Sequence, residues 1–233
     1  MTTSPRNLLL DSLPAAVADE IKSRLRPVPL PKRTVLYEPQ EMPQYAHFMT
    51  SGIASVVVET PDGAIAEVNL LGHEALVESM HLLGPTPMLT RCFMQVEGTA
   101  LCMPFKELRQ IFLQCEPLRR WVLQFVQNQA ALTSQIAACN RLHSAEERMA
   151  RWLLMVQDRV ESKGLPLTQE FLGQMLGARR STVALAASAL QAGGLIKYRR
   201  GIVEILDREN LALAACDCYP LLKGLLRSLY SAA

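Results

Sequence analysis

An α+β chain in three parts is predicted: a strand-rich barrel or sandwich, one long helix, and a helix-turn-helix with a basic wing. Three observations carry this. Between Thr34 and Pro104, short apolar runs are separated by tight-turn residues. From Pro117 to Leu142, apolar positions recur at alternating spacings of four and three. After Thr168, two short amphipathic segments flank Gly177-Ala178 and lead into Arg199-Arg200-Gly201. The 233 residues suit one large domain or two small ones. With 49% hydrophobic and 20% charged residues, a sizeable core is expected rather than disorder. The net charge is only +2, so any polyanion partner must be read from the distribution of charge.

Met1–Leu10 has only Arg6 ahead of a short apolar run that Asp11 ends, so a secretory signal is not expected there. No apolar run reaches the roughly 18 residues of a membrane span, and six cysteines do not make a disulfide scaffold. A soluble cytoplasmic protein is expected.

Ser12 can cap a first helix whose stripe is Leu13, Val17, Ile21 and Leu25. Pro27, Pro29 and Pro31 stop helical reading. Ala46–Met49 and Ile53–Glu59 read as strands separated by Ser51-Gly52. Pro61-Asp62-Gly63 is a turn, and Ala64–Leu71 is the returning strand. Cys92–Val96 and Ala100–Met103 read as a second hairpin around Glu97-Gly98. Between the hairpins, Gly72-His73-Glu74-Ala75 leads into a short apolar stretch that either lines a pocket or closes one end of the barrel.

Phe105–Phe112 is a short helix. The long helix presents Leu118, Val122, Phe125, Gln129, Leu132, Ile136 and Cys139 in the a/d pattern of a two-helix seam. A homodimer through this stripe is expected, with Gln129 as a polar residue that fixes register; burial within one chain is the alternative. Trp121 and Leu123 lie off the stripe and can pack on the strand domain. Ser144 and Glu147 have capping-box spacing at the start of a helix over Ala145–Val160, with Met149, Trp152, Leu153 and Val156 on its apolar face.

Thr168 caps the next helix, where Phe171, Leu172, Met175 and Leu176 supply the buried face. Arg180–Gln191 is the second helix, with Val183, Ala187 and Leu190 inward. Arg179, Arg180, Ser181 and Thr182 stand at its entrance, where side chains can face a major groove. Arg180 can donate two hydrogen bonds to guanine. Arg179, Ser181 and Thr182 can bond phosphates or bases, and Thr168 and Gln169 lie where backbone donors can meet a phosphate. The strands Leu195–Tyr198 and Ile202–Leu206 flank the tip Arg199-Arg200-Gly201 as a wing. From Lys163 to Val203 the cations are Lys163, Arg179, Arg180, Lys197, Arg199 and Arg200, against Glu170 alone. Contact with double-stranded DNA is expected; a solvated basic face on an interaction module is the alternative.

At these residues the chain resembles the bacterial Crp/Fnr-type transcription regulators. The match is most specific from Leu167-Thr168-Gln169-Glu170-Phe171-Leu172-Gly173-Gln174-Met175-Leu176-Gly177-Ala178-Arg179-Arg180-Ser181-Thr182-Val183 through Leu190–Ile205. Element order extends it over residues 34–104, which resemble the family's cyclic-nucleotide-binding-like β jelly roll, and over 117–142, which resemble its dimer helix. The resemblance implies a sensory domain over 1–116, a dimerisation helix over 117–143 and a winged helix-turn-helix over 144–233. It implies operator DNA, a second copy of the chain, RNA polymerase and a small-molecule effector as partners. The family's recognition helix carries Arg, then Glu, then Arg four positions beyond; here these are Arg180, Ser181 and Leu185, so only Arg180 keeps that base-reading chemistry.

Cyclic-nucleotide members use a Gly-Glu-Leu-like cassette and an Arg beside Ser or Thr. Here the cassette is Gly72-His73-Glu74-Ala75, Met88 falls at the Arg position, and Arg91 is displaced by three residues. The candidate effector pocket is Gly72, Glu74, Met88, Thr90 and Arg91. A phosphate needs a positioned donor or cation, so an effector other than cAMP is expected, with an effector-independent regulator as the alternative. Cys92, Cys102, Cys115 and Cys139 are widely spaced, and no N-terminal cysteine cluster resembles that of iron–sulfur relatives. Cys216 and Cys218 read as two small residues near a turn, with a metal pair or redox switch as the alternative. His47, His73, His81 and His143 form no recognised ligand motif, so neither a metal site nor a cofactor is expected. No nucleophile motif, nucleotide loop or metal-catalysis cluster points to an enzyme.

Overall fold

The structure, a computed structural model, describes residues 6–160 and 164–231. The chain divides into two compact units. The first holds the described residues of 1–57, 69–131 and 226–233; the second holds those of 58–68 and 132–225. Among the described residues no helix is long and apolar enough to cross a membrane.

The first unit begins with a single turn, α1 (Leu8–Asp11), capped by the Asn7 side chain accepting from Leu10 N at 3.1 Å. The same buried amide donates to the carbonyls of Met49, His73 and Ala75. Ser12 does not cap the next helix; its hydroxyl donates back to Leu8 O, and α2 (Ala15–Arg24) starts after Pro14 with no side-chain cap. The proline run is not a mere stop. Arg26–Leu30 forms β1 at the end of a sheet ordered β1-β5-β3-β4, in which β3 is Tyr45–Glu59, β4 Ile65–Leu71 and β5 Arg91–Pro104, and an edge strand tolerates the missing N–H groups of Pro27 and Pro29. The short β2 (Val35–Tyr37) also pairs with β5.

Two of the expected turns are bulges inside long strands. β3 runs unbroken through Ser51-Gly52 (Tyr45–Glu59), and β5 runs unbroken through Glu97-Gly98 (Arg91–Pro104). Their antiparallel register shifts repeatedly between Met49 and Ala54. There the two glycines face each other so closely that a Cβ on Gly98 would lie 2.2 Å from Ser51 O. Gly52, at φ +78°, would meet backbone at 2.7 Å. The glycines are required by a close backbone approach at the bulge between paired strands rather than by a reversal of direction. Pro61-Asp62-Gly63 is the true hairpin: Thr60 N donates to Ala64 O, Gly63 has φ +81°, and β4 (Ile65–Leu71) returns.

A single 3-10 turn, Ser79–Leu82, lies between β4 and β5. Glu78, just before it, is fully buried and takes both the backbone N–H of His47 at 2.7 Å and its imidazole Nδ1 at 2.8 Å. After β5 come α3 (Phe105–Gln114) and α4 (Glu116–Leu142). Leu118, Val122, Phe125, Gln129, Leu132, Ile136 and Cys139 are all buried within the single chain. Gln129 accepts from Asn69 Nδ2. The single chain thus covers these positions. Trp121 stacks on Tyr230, whereas Leu123 is 47% exposed.

Candidate nucleic-acid interface

The second unit is built around α5 (Ala145–Gln157), whose capping box closes as expected: Glu147 N donates to Ser144 Oγ and Ser144 N donates to Glu147 Oε2. Met149, Trp152, Leu153 and Val156 are buried. The buried Glu67 carboxylate of the hairpin accepts from Trp152 Nε1 at 2.6 Å.

α6 (Gln169–Leu176) is capped by Thr168, whose hydroxyl accepts from Phe171 N at 3.1 Å. It ends on Gly177 at φ +55°, a left-handed cap that a side chain would strain. α7 follows over Arg180–Ala192, with Val183, Ala187 and Leu190 buried. Gly173 brings the two helices together, since a Cβ there would lie 2.9 Å from Ala178 O. The wing is β7 (Ile196–Arg199) and β8 (Ile202–Ile205), joined by Arg200 at φ +52° and Gly201 at φ +74°. A third strand, β6 (Gly164–Pro166), pairs with β8. Tyr198 ties the wing to α7 and to the segment just before α6: its N–H donates to Gln191 Oε1 and its hydroxyl to Leu167 O, each at 2.8 Å.

These elements bring four expected contact residues around one cleft of about 410 Å³. Thr168, Gln169, Arg180 and Arg200 line it, with Glu170, Tyr198 and Gly201. Arg179, Ser181 and Arg199 are exposed outside that lining, and Thr182 is half-buried. Lys163 lies outside the described residues. One residue beyond the expected set stands out: Leu185 is 73% exposed on the recognition helix, a position no packing explains. Its signal in the sequence is an apolar residue that breaks the buried spacing of Val183, Ala187 and Leu190.

The residues of the candidate effector pocket have other neighbours, all within the first unit. The carbonyl of the buried Glu74 accepts from the Tyr230 hydroxyl, and Gly72 O accepts from Ala75 N. Met88 O accepts from Gln40 N, Thr90 Oγ1 lies 3.2 Å from Tyr37 Oη, and Arg91 pairs with Glu38 at 3.2 Å. Tyr230 gives no local signal because it lies 156 residues from Glu74.

The expectation of no cofactor is overturned. Cys139, His143, Cys216 and Cys218 place their four ligand atoms within 4.8 Å of one another, a cluster positioned to coordinate a metal ion. Cys139 and His143 lie four residues apart, on one face of a continued helical turn. α8 (Arg208–Ala214) and α9 (Cys218–Ser231) present Cys216 and Cys218 at their corner. The Cys139 thiol is held below its ordinary range by its hydrogen bond with Cys216, against burial and with help from Arg151. The same bond, with burial, pushes Cys216 up.

Two helices with a left-handed glycine turn and a three-stranded wing define a DNA-binding module. Residues 147–214 match the Crp-like helix-turn-helix domain, and residues 27–115 match the cyclic nucleotide-binding domain. The transcriptional activator protein FnrA of Stutzerimonas stutzeri is 25% identical over 206 residues, covering 84% of this chain and 82% of that protein. A CRP-like cAMP-activated global transcriptional regulator of Mycobacterium tuberculosis is 24% identical over 209 residues, covering 87% and 93%. Among solved structures, a Crp/Fnr-family regulator from Eubacterium rectale has the same fold, with TM-score 0.69, 17% identity and coverage of 88% of this chain and 96% of that one. The c-di-GMP responsive regulator CLP of Xanthomonas campestris gives TM-score 0.67 and 18% identity over 82% of this chain and 99% of that one. The chain belongs to the bacterial Crp/Fnr family of transcription regulators.

Proposed function

We propose that this protein is a homodimeric, sequence-specific regulator acting in the cytoplasm on operator DNA. Its sensory part would be 1–116, its dimerisation helix 117–143 and its DNA-binding part 144–233. The observation that carries the reading is the cleft that joins Thr168, Gln169, Arg180 and Arg200. Arg180 would read guanine, Arg179, Ser181, Thr182, Arg199 and Arg200 would hold the backbone around it, and Leu185 would meet a thymine methyl. RNA polymerase is the further partner of such a complex.

With the apolar stripe used internally, the dimer contact falls to the opposite side of α4. Leu123, Gln127, Ala130, Ser134 and Ala137 are exposed there and keep the same alternating register. The small residues allow close helix approach. Ala137→Glu on both copies places like charges in that seam, so a shift from dimer to monomer is expected in sedimentation, with DNA affinity falling alongside. An unchanged dimer would move the interface off α4.

The effector is proposed to be something other than cAMP. Arg91 faces Glu38 at 3.2 Å, and Met88 offers no charge to a phosphate. Calorimetry of the full chain with cAMP is expected to show no saturable heat; micromolar saturable binding would reverse this reading.

A further inference from the structure

We propose that Cys139, His143, Cys216 and Cys218 bind one Zn²⁺-class ion as a closed structural site that fastens the α8–α9 corner to the end of α4. The donor set is that of a Cys3His site, in which four protein ligands leave no open position for a substrate or water. Three of the donors are almost wholly buried, Cys139 at 0%, Cys216 at 4% and Cys218 at 1% exposure.

The four donor atoms lie within 4.8 Å of one another, and two of their separations lie near those of a tetrahedral ion. Bonds of about 2.3 Å to sulfur and about 2.0–2.1 Å to nitrogen, set tetrahedrally, separate two sulfurs by about 3.8 Å and a sulfur from a nitrogen by about 3.6 Å. The Cys139 and Cys216 sulfurs are 3.4 Å apart, and Cys218 Sγ lies 3.6 Å from His143 Nδ1. A disulfide is a different geometry, with sulfurs bonded at about 2.05 Å.

Two further groups suit a metal–thiolate centre. Gln135 donates its amide N–H to Cys218 Sγ at 3.2 Å, the kind of outer contact that orients a ligand sulfur. Arg151 is 3% exposed, its Nε lacks a hydrogen-bond partner, and it makes no salt bridge among the described residues. A buried cation needs an anion. Binding would release the three thiol protons, leaving one divalent cation, three thiolates and a net charge of −1 that Arg151 offsets.

The test uses the reduced full-length chain stripped of metal and titrated with Zn²⁺ against a chromogenic chelator, and separately with Co²⁺. One Zn²⁺ per chain is expected, with intense tetrahedral Co²⁺ bands, a thiolate-to-cobalt charge-transfer band and a higher melting temperature on loading. His143 is half-buried, so His143→Gln is expected to keep the helical spectrum while losing at least about tenfold in Zn²⁺ affinity. Gln135→Leu, which leaves all four ligands in place, is expected to weaken binding by about 10–100-fold. Substoichiometric Zn²⁺ binding by the native chain, or equal affinity in folded His143→Gln and Cys218→Ser, would overturn the site. So would peptide mapping of the native protein that finds Cys139 and Cys216 joined as a disulfide.

Discussion

Arg180→Ala is expected to relax sequence preference at one base pair in each operator half-site. Arg180 is the first residue of α7, exposed, and part of the cleft that Tyr198 and Arg200 complete. A guanidinium there presents paired donors that match guanine O6 and N7, and such an interaction discriminates by about 1–3 kcal/mol. Loss at this one base pair should therefore be about 5- to 150-fold. Neutralising Arg199 and Arg200 is expected to act differently. Arg199 ends β7 and Arg200 opens the wing turn, so the double variant should bind all sequences more weakly. Its salt slope should fall by about one for each phosphate no longer neutralised. Selection profiles for the two variants, read at several salt concentrations, check both statements. An unchanged profile for Arg180→Ala beside altered base preference in the wing variant would exchange the two roles.

The largest effect on stability is expected at His47. Its imidazole is paired with the fully buried Glu78 carboxylate. Burial opposes its charge, but the attraction of Glu78 prevails, aided by Cys102, and raises its pKa from 6.5 to about 10. His47→Ala leaves Glu78 with the backbone N–H but no countercharge, and breaking a buried pair from one side costs about 3–5 kcal/mol. The sign of the pH dependence follows. Because the folded value exceeds the unfolded one, the stabilisation is full below about pH 6.5, declines above it, and is lost as pH passes about 10. Urea unfolding of the native chain and of His47→Ala should therefore differ most at pH 6 and converge towards pH 10. A constant difference across that range would show that packing, not the ion pair, sets the cost.

The parts of the fold that could be read from sequence are those set by neighbours along the chain. The Ser144–Glu147 capping box, the Thr168 cap, the Gly177 turn and the Pro61-Asp62-Gly63 hairpin each depend on residues within about four positions, and each formed. Gly52 and Gly98 misled for a long-range reason: they are small because two paired strands approach closely at a bulge there, and a single sequence shows the glycine but not the neighbouring strand. The α4 stripe shows a related ambiguity. An alternating apolar pattern states that a face is buried, not whether this chain or a second copy covers it. The cysteine cluster was least legible, because Cys139 and Cys216 are 77 residues apart and only α8 and α9, which no short motif announced, return the second pair to the first.

Selection of random duplex DNA by the native full-length chain tests the regulator reading most directly. The expected product is a two-fold symmetric site, its inverted half-sites centred about 34–36 Å apart or a multiple of that, with a guanine in each half whose selection disappears on Arg180→Ala. No enrichment above random duplex, or a single asymmetric site bound by one copy of the chain, would contradict a dimer that reads an operator through Arg180.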